Sequence, residues 1–119
     1  MQLYNKLSKK ERLDLINKAG EKRLTLSFYK YSKIKNTFIF RNFLFVHLER
    51  LNVLGRIYIA SEGINAQLSV PGSKLIEFKN LIDSISFLNG VRLNIAIKHS
   101  NEAFLKLKIK IKEKIVPDG

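Results

Sequence analysis

Cysteine and tryptophan are absent from this chain of 119 residues, and methionine occurs once. Without cysteine there is no disulfide, no thiolate nucleophile and no thiolate-ligated metal site. Histidine occurs at positions 47 and 99 only, and two histidines without cysteine make a poor ligand set for a metal. His47 sits among apolar helix residues, as a core or boundary histidine does, while His99 falls in an expected turn. No apolar run approaches the roughly 20 residues needed to span a bilayer. The start, Met1-Gln2-Leu3-Tyr4-Asn5-Lys6, lacks the apolar segment of a signal peptide. The expected compartment is the cytoplasm, with no membrane partner. Motifs of catalysis are missing too: there is no glycine-rich phosphate loop, no Gly-x-Ser-x-Gly elbow and no His-Glu-x-x-His. Within these residues no catalytic group and no cofactor is expected.

What is present is an ordinary core and an excess of positive charge. Hydrophobic residues make up 45% of the chain and mean hydropathy is −0.09, which suits one domain able to fold alone. Twenty-two Lys and Arg stand against ten Asp and Glu, a net charge of +12. Such a balance suits a polyanion, most simply RNA, because phosphates are held by clustered Lys and Arg. Composition offers a second source of the charge. Sixteen of the bases are Lys, and Ile (14) and Asn (10) are abundant as well. All three have A/T-rich codons, so an AT-rich genome would raise the charge with no RNA involved.

Periodicity supplies the elements. Ser8-Lys9-Lys10-Glu11 has the spacing of a capping box and starts a helix expected to run to about Ala19 and stop at Gly20. Residues 23–31 alternate as a strand, with Leu24, Leu26 and Phe28 on one face. Asn36 or Thr37 caps a second helix through Leu51, whose Phe40, Phe43, Leu44, His47, Leu48 and Leu51 share a broad face. Residues 56–60 and 64–70 alternate around the turn Ser61-Glu62-Gly63 and predict a β-hairpin. Pro71-Gly72-Ser73 closes the strand and caps a helix with Leu75, Phe78, Ile82 and Ile85 in one stripe. Asn89-Gly90 then turns the chain into a strand over 91–98. The order βαββαβ predicts an α+β fold, a ferredoxin-like sandwich with its helices on one face of an antiparallel sheet. A helical extension (1–22) precedes that core (23–100), and a basic strand within 101–119 follows it.

In the last segment, 104–116, Leu105, Leu107, Ile109 and Ile111 alternate with Lys106, Lys108, Lys110 and Lys112. As a strand this places four lysines on one side at intervals of roughly 7 Å, close to the phosphate repeat of a nucleic-acid strand. Lysines also guard a sheet edge against aggregation, and pattern alone does not separate the two roles. Arg56, Tyr58 and Arg92 are the other candidates for RNA, together with Tyr29 and Tyr31. Aromatics beside cations on an open sheet face suit unpaired bases. Glu62, Gly63 and Asn65 form a turn motif, either pinned by local backbone bonds or offered to a partner.

The wording of the hairpin goes further. Glu62-Gly63-Ile64-Asn65-Ala66 is accompanied by Ser27-Phe28-Tyr29-Lys30-Tyr31, by Leu51-Asn52-Val53-Leu54-Gly55-Arg56-Ile57-Tyr58, and by Arg92-Leu93-Asn94-Ile95-Ala96. With Ile115-Val116 and Asp118-Gly119 at the end, the chain beyond its first turns resembles the N-terminal domain of the rhodanese-type tRNA uridine hydroxylases. It departs at Lys108, Lys112 and Lys114, where that family tends to place arginine; lysine keeps the charge and loses the planar fork that grips phosphate.

The resemblance implies an oxidoreductase of tRNA modification, a hydroxylase forming 5-hydroxyuridine at the wobble position with molecular oxygen as co-substrate. It implies two partners: tRNA, engaged at its anticodon region, and a C-terminal rhodanese domain of the same polypeptide that carries an essential cysteine. On this reading the 119 residues engage tRNA and leave the chemistry to that other domain. The alternative is a free-standing, non-catalytic ferredoxin-like module binding RNA or an acidic protein. An acylphosphatase-like hydrolase shares the fold class but needs a phosphate-cradling loop.

Overall fold

A computed structural model describes residues 8, 10–11, 22–96 and 104–115 of the protein. The capping box is formed: the Glu11 amide donates to Ser8 Oγ (3.2 Å) and the Ser8 amide to Glu11 Oε1 (3.4 Å). The remainder of that helix lies outside the described residues, as do Ile97, Lys98, His99 and Val116.

The elements are β1 (Arg23–Tyr31), α1 (Thr37–Arg50), β2 (Leu54–Ala60), β3 (Gly63–Pro71), α2 (Leu75–Ser84), β4 (Asn94–Ile95) and β5 (Leu107–Ile111). They form one sheet in the order β4-β1-β3-β2-β5. The first four strands are antiparallel, which is the ferredoxin-like arrangement expected. The fifth joins β2 in parallel, so the sheet is mixed.

Alternation along the strands decides what faces inward. Leu26 and Phe28 of β1, Ile57 and Ile59 of β2, and Ile64, Ala66, Leu68 and Val70 of β3 are buried. Against them pack Leu44, Phe45 and Leu48 of α1 and Phe78 and Ile82 of α2, in one cluster. Burial of each large member contributes about 1.5–3 kcal/mol. Asn36 caps α1, its Oδ1 accepting from the Ile39 amide at 3.0 Å.

Three expectations are corrected. In α1, Phe45 is buried where Phe43 was expected, and Phe43 is 39% exposed. The helix is apolar on most sides, so its own period does not select the packed face; the surfaces of β2 and β5 beneath it do. The strand expected over 91–98 does not pair at 91–93. Among the described residues its ladder with β1 begins at Asn94–Ile95, and the Ala96 amide continues it by donating to the Thr25 carbonyl (2.8 Å). Asp83 accepts from the Gly90 amide at 3.0 Å and ties the turn to α2, and Val91 and Leu93 pack against the core cluster before pairing begins. The final strand spans Leu107–Ile111 rather than 104–116. It ends because β2 ends: after the Lys112 amide donates to the Ile59 carbonyl (2.8 Å), β2 itself stops at Ala60.

Arg23, read from the sequence only as the start of a strand, is 6% exposed. Its guanidinium donates to Ser69 Oγ (2.8 Å), to the Ser69 carbonyl (2.9 Å) and to the Asn52 carbonyl. Asn52 holds a left-handed conformation at φ 57°, so one side chain joins β1, β3 and the turn after α1. Arg23→Met removes these charge-assisted donors and is expected to cost about 2–4 kcal/mol. Urea unfolding checks this as a lower midpoint at unchanged slope.

Candidate nucleic-acid interface

The register of the sheet gathers side chains that are far apart in the chain. On the face turned away from the helices one row runs Asn94, Ser27, Gln67, Arg56, Lys108 from edge to edge. The next row runs Tyr29, Asn65, Tyr58, Lys110. Neighbours in a row stand about 5 Å apart at the backbone. Arg56, Tyr58, Lys108 and Lys110 line one hollow, and Arg56, Tyr58, Asn65 and Gln67 line a second beside it. Arg56, Lys108, Lys110 and Lys112 are exposed, and the Lys112 ammonium lies 4.9 Å from the centre of the Tyr58 ring. Two cations about 6 Å apart repel mildly in water, by about 0.7 kcal/mol, and an anion bound between them relieves that repulsion.

Two of the candidate bases stand differently. Lys106 is half-buried just before β5, where its carbonyl accepts from the Gly55 amide at 2.7 Å. Arg92 is exposed but precedes β4, on the opposite edge of the sheet from β5. Three strand spacings, about 14 Å, separate β4 from β2. The structure brings Arg56, Tyr58, Lys108, Lys110 and Lys112 together and leaves Arg92 apart. Asn65 as part of this face, and Gln67 with it, were missed; their signal was a polar residue at alternate positions of an otherwise apolar strand.

Both ends of this face are covered. Arg23, Leu54 and Ser69 are buried at one end, and Ala60 and Gly63 at the other. There the chain leaving β5 folds back, and Ile115 is 1% exposed. The Ile115 amide donates to Glu62 Oε1 (3.0 Å), and Asn65 Nδ2 donates to the Ile115 carbonyl (3.4 Å). A β-carbon on Gly63 would stand 3.1 Å from the Ile115 side chain. Glu62, Gly63 and Asn65 therefore clamp a segment about fifty residues away, rather than only the turn they sit in. The backbone of the turn is used as well: Ser32 and Ile34 amides donate to the Glu62 and Ser61 carbonyls, both at 2.9 Å. Those two amides of the β1–α1 link are therefore not available to cradle a phosphate.

A four-stranded antiparallel core with two helices on one side, extended by a parallel fifth strand and carrying cations on its other side, defines a ferredoxin-like domain of the acylphosphatase-like type. The chain belongs to the family described as the UPF0176 acylphosphatase like domain, whose model matches residues 23–115. It is also similar to proteins named tRNA uridine(34) hydroxylase. That of Pectobacterium carotovorum subsp. carotovorum is 44% identical over 118 residues, covering 98% of this chain and 33% of the relative. That of Enterobacter sp. (strain 638) is 43% identical over 118 residues, covering 98% of this chain and 34% of the relative. That of Photorhabdus laumondii is 42% identical over the same length. The chain spans about a third of the length of these relatives. Among the described residues, no helix is long and apolar enough to cross a membrane.

Proposed function

We propose that this domain is the tRNA-engaging part of an oxygen-dependent tRNA uridine hydroxylase that forms 5-hydroxyuridine at the wobble position. The chemistry is assigned to a rhodanese domain of the same polypeptide, which supplies the cysteine that these residues lack, with molecular oxygen as co-substrate. The relatives' shared name and their threefold greater length support this division of labour. The observation that carries the binding role is the convergence of Arg56, Lys108 and Lys110 around Tyr58 on one exposed face. Cations in that arrangement hold phosphates and so position an RNA without reading its sequence.

Titration of the chain with tRNA across a salt series tests the reading. The logarithm of the binding constant is expected to fall linearly with the logarithm of salt, with a slope of roughly −2 to −3 for about three phosphate contacts. Poly-glutamate of matched charge serves as competitor for the alternative, an acidic protein partner. It should displace tRNA only weakly, because a flexible carboxylate chain lacks both the phosphate spacing and the bases. Absence of tRNA binding, or equal affinity for poly-glutamate, would remove the proposal.

A further inference from the structure

The basic face is not uniform, and its asymmetry carries information. Across the row Lys110, Tyr58, Asn65, Tyr29, charge is confined to the β5 side, an aromatic and an amide occupy the middle, and a second tyrosine lies beyond. Tyr29 is 55% exposed and Tyr31 is 54% exposed, and their rings meet edge to face at 5.4 Å between centres. Gln67 is exposed beside Arg56 in the adjoining row and offers both a donor and an acceptor. Solvent-facing rings on strands gain nothing from the core behind them. A duplex makes little use of them either, since its bases are stacked inside and it presents phosphates and sugar. An unpaired nucleotide uses all three zones at once, with phosphate on cations, base on ring and base edge on amide.

We propose that this sheet face is a binding site for unpaired ribonucleotides. The strand lies with its phosphates over Arg56, Lys108 and Lys110 and its bases pointing across the sheet onto Tyr58 and toward Tyr29, with the Gln67 carboxamide meeting a base edge. This rests on the proposal that the domain engages tRNA, and adds that it takes the RNA where the bases are splayed rather than along a stem. The Lys112 ammonium over the Tyr58 ring marks the stacking position. When a base arrives, that ammonium moves to the neighbouring phosphate, so the ring exchanges one favourable contact for another.

The experiment compares three probes on the folded chain: tRNA, an oligouridylate of about eight nucleotides, within the span a single strand-binding domain covers, and a blunt RNA duplex. The oligouridylate is expected to bind more tightly than the duplex. Tyr58→Leu should weaken oligouridylate binding about tenfold or more, as loss of one stacked base does, and leave the salt slope unchanged because no phosphate contact is lost. Tyr58→Phe keeps the ring and should bind as wild type. Because Tyr58 is half-buried, Tyr29→Leu is the second variant; its exposed ring can be removed without disturbing the core, and it should cost severalfold. If tRNA and duplex bind while oligouridylate does not, or if both leucine variants bind oligouridylate as wild type, the inference falls and the tRNA reading stands. If none of the three RNAs binds, both fall.

Discussion

Gly63→Ala is expected to cost about 3–5 kcal/mol, enough to unfold much of a marginally stable domain at growth temperature. Gly63 opens β3 at φ 154°, and a β-carbon there would stand 2.2 Å from the Lys30 carbonyl oxygen and 3.0 Å from the Tyr31 α-carbon. Both obstacles are backbone of the neighbouring strand β1, paired through Tyr31 and Gly63, so neither can move without breaking the ladder. Gly90 supplies the comparison. It too has positive φ, at 76°, but a β-carbon added there would meet nothing within 4 Å. Gly90→Ala should therefore cost only the conformational term, about 1–2 kcal/mol. Thermal unfolding followed by circular dichroism checks both. Equal losses in the two variants would show that the close approach of β1 to Gly63 does not govern stability.

The second large effect concerns affinity. Replacing Arg56, Lys108 and Lys110 together by glutamine should reduce the salt slope for tRNA by roughly 2 to 3, since each phosphate contact contributes about 0.7–0.9. Extrapolated over the decade of salt below 1 M, that slope corresponds to a loss of about a hundredfold to a thousandfold at ~0.1 M. The three side chains surround Tyr58 on the face away from the helices, so their removal leaves the core intact. A control removes the same charge elsewhere, from the exposed Lys33 and Lys35 after β1 and Lys79 on α2. The control should lose far less, because those charges act only through a screened long-range field. Equal losses in the two triple variants would mean that net charge alone draws the RNA, and the sheet face would have no special role.

The position of Glu62 shows where local reading stops. In the sequence, a carboxylate beside Gly63 and Asn65 fits a turn pinned by its own backbone or a contact for a partner. In the fold it holds the Ile115 amide while Asn65 holds the Ile115 carbonyl. Nothing local to the hairpin marks Ile115 as that partner, because the contact depends on where β5 ends. The segment leaving β5 is thereby held against the edge of the cationic face.

By itself the sequence determined the order of elements, the alternation of β1, β2 and β3, the start of α1 at Asn36 or Thr37 and the apolar stripe of α2. These follow from periods of two and 3.6 and from short-range capping, which are properties of adjacent residues. Tertiary structure decided the rest. It chose Phe45 over Phe43 for the core, since a helix apolar on most sides takes its orientation from the sheet beneath it. It delayed the pairing of β4 to Asn94, since Asp83 holds the preceding turn to α2. It set Lys108 beside Arg56 and Lys110 beside Tyr58 through parallel pairing of β5 with β2, and left Arg92 on the far edge. Strand pairing over fifty residues is chosen by how the whole sheet buries its apolar side, so the neighbours on its other side are fixed only when the chain is folded.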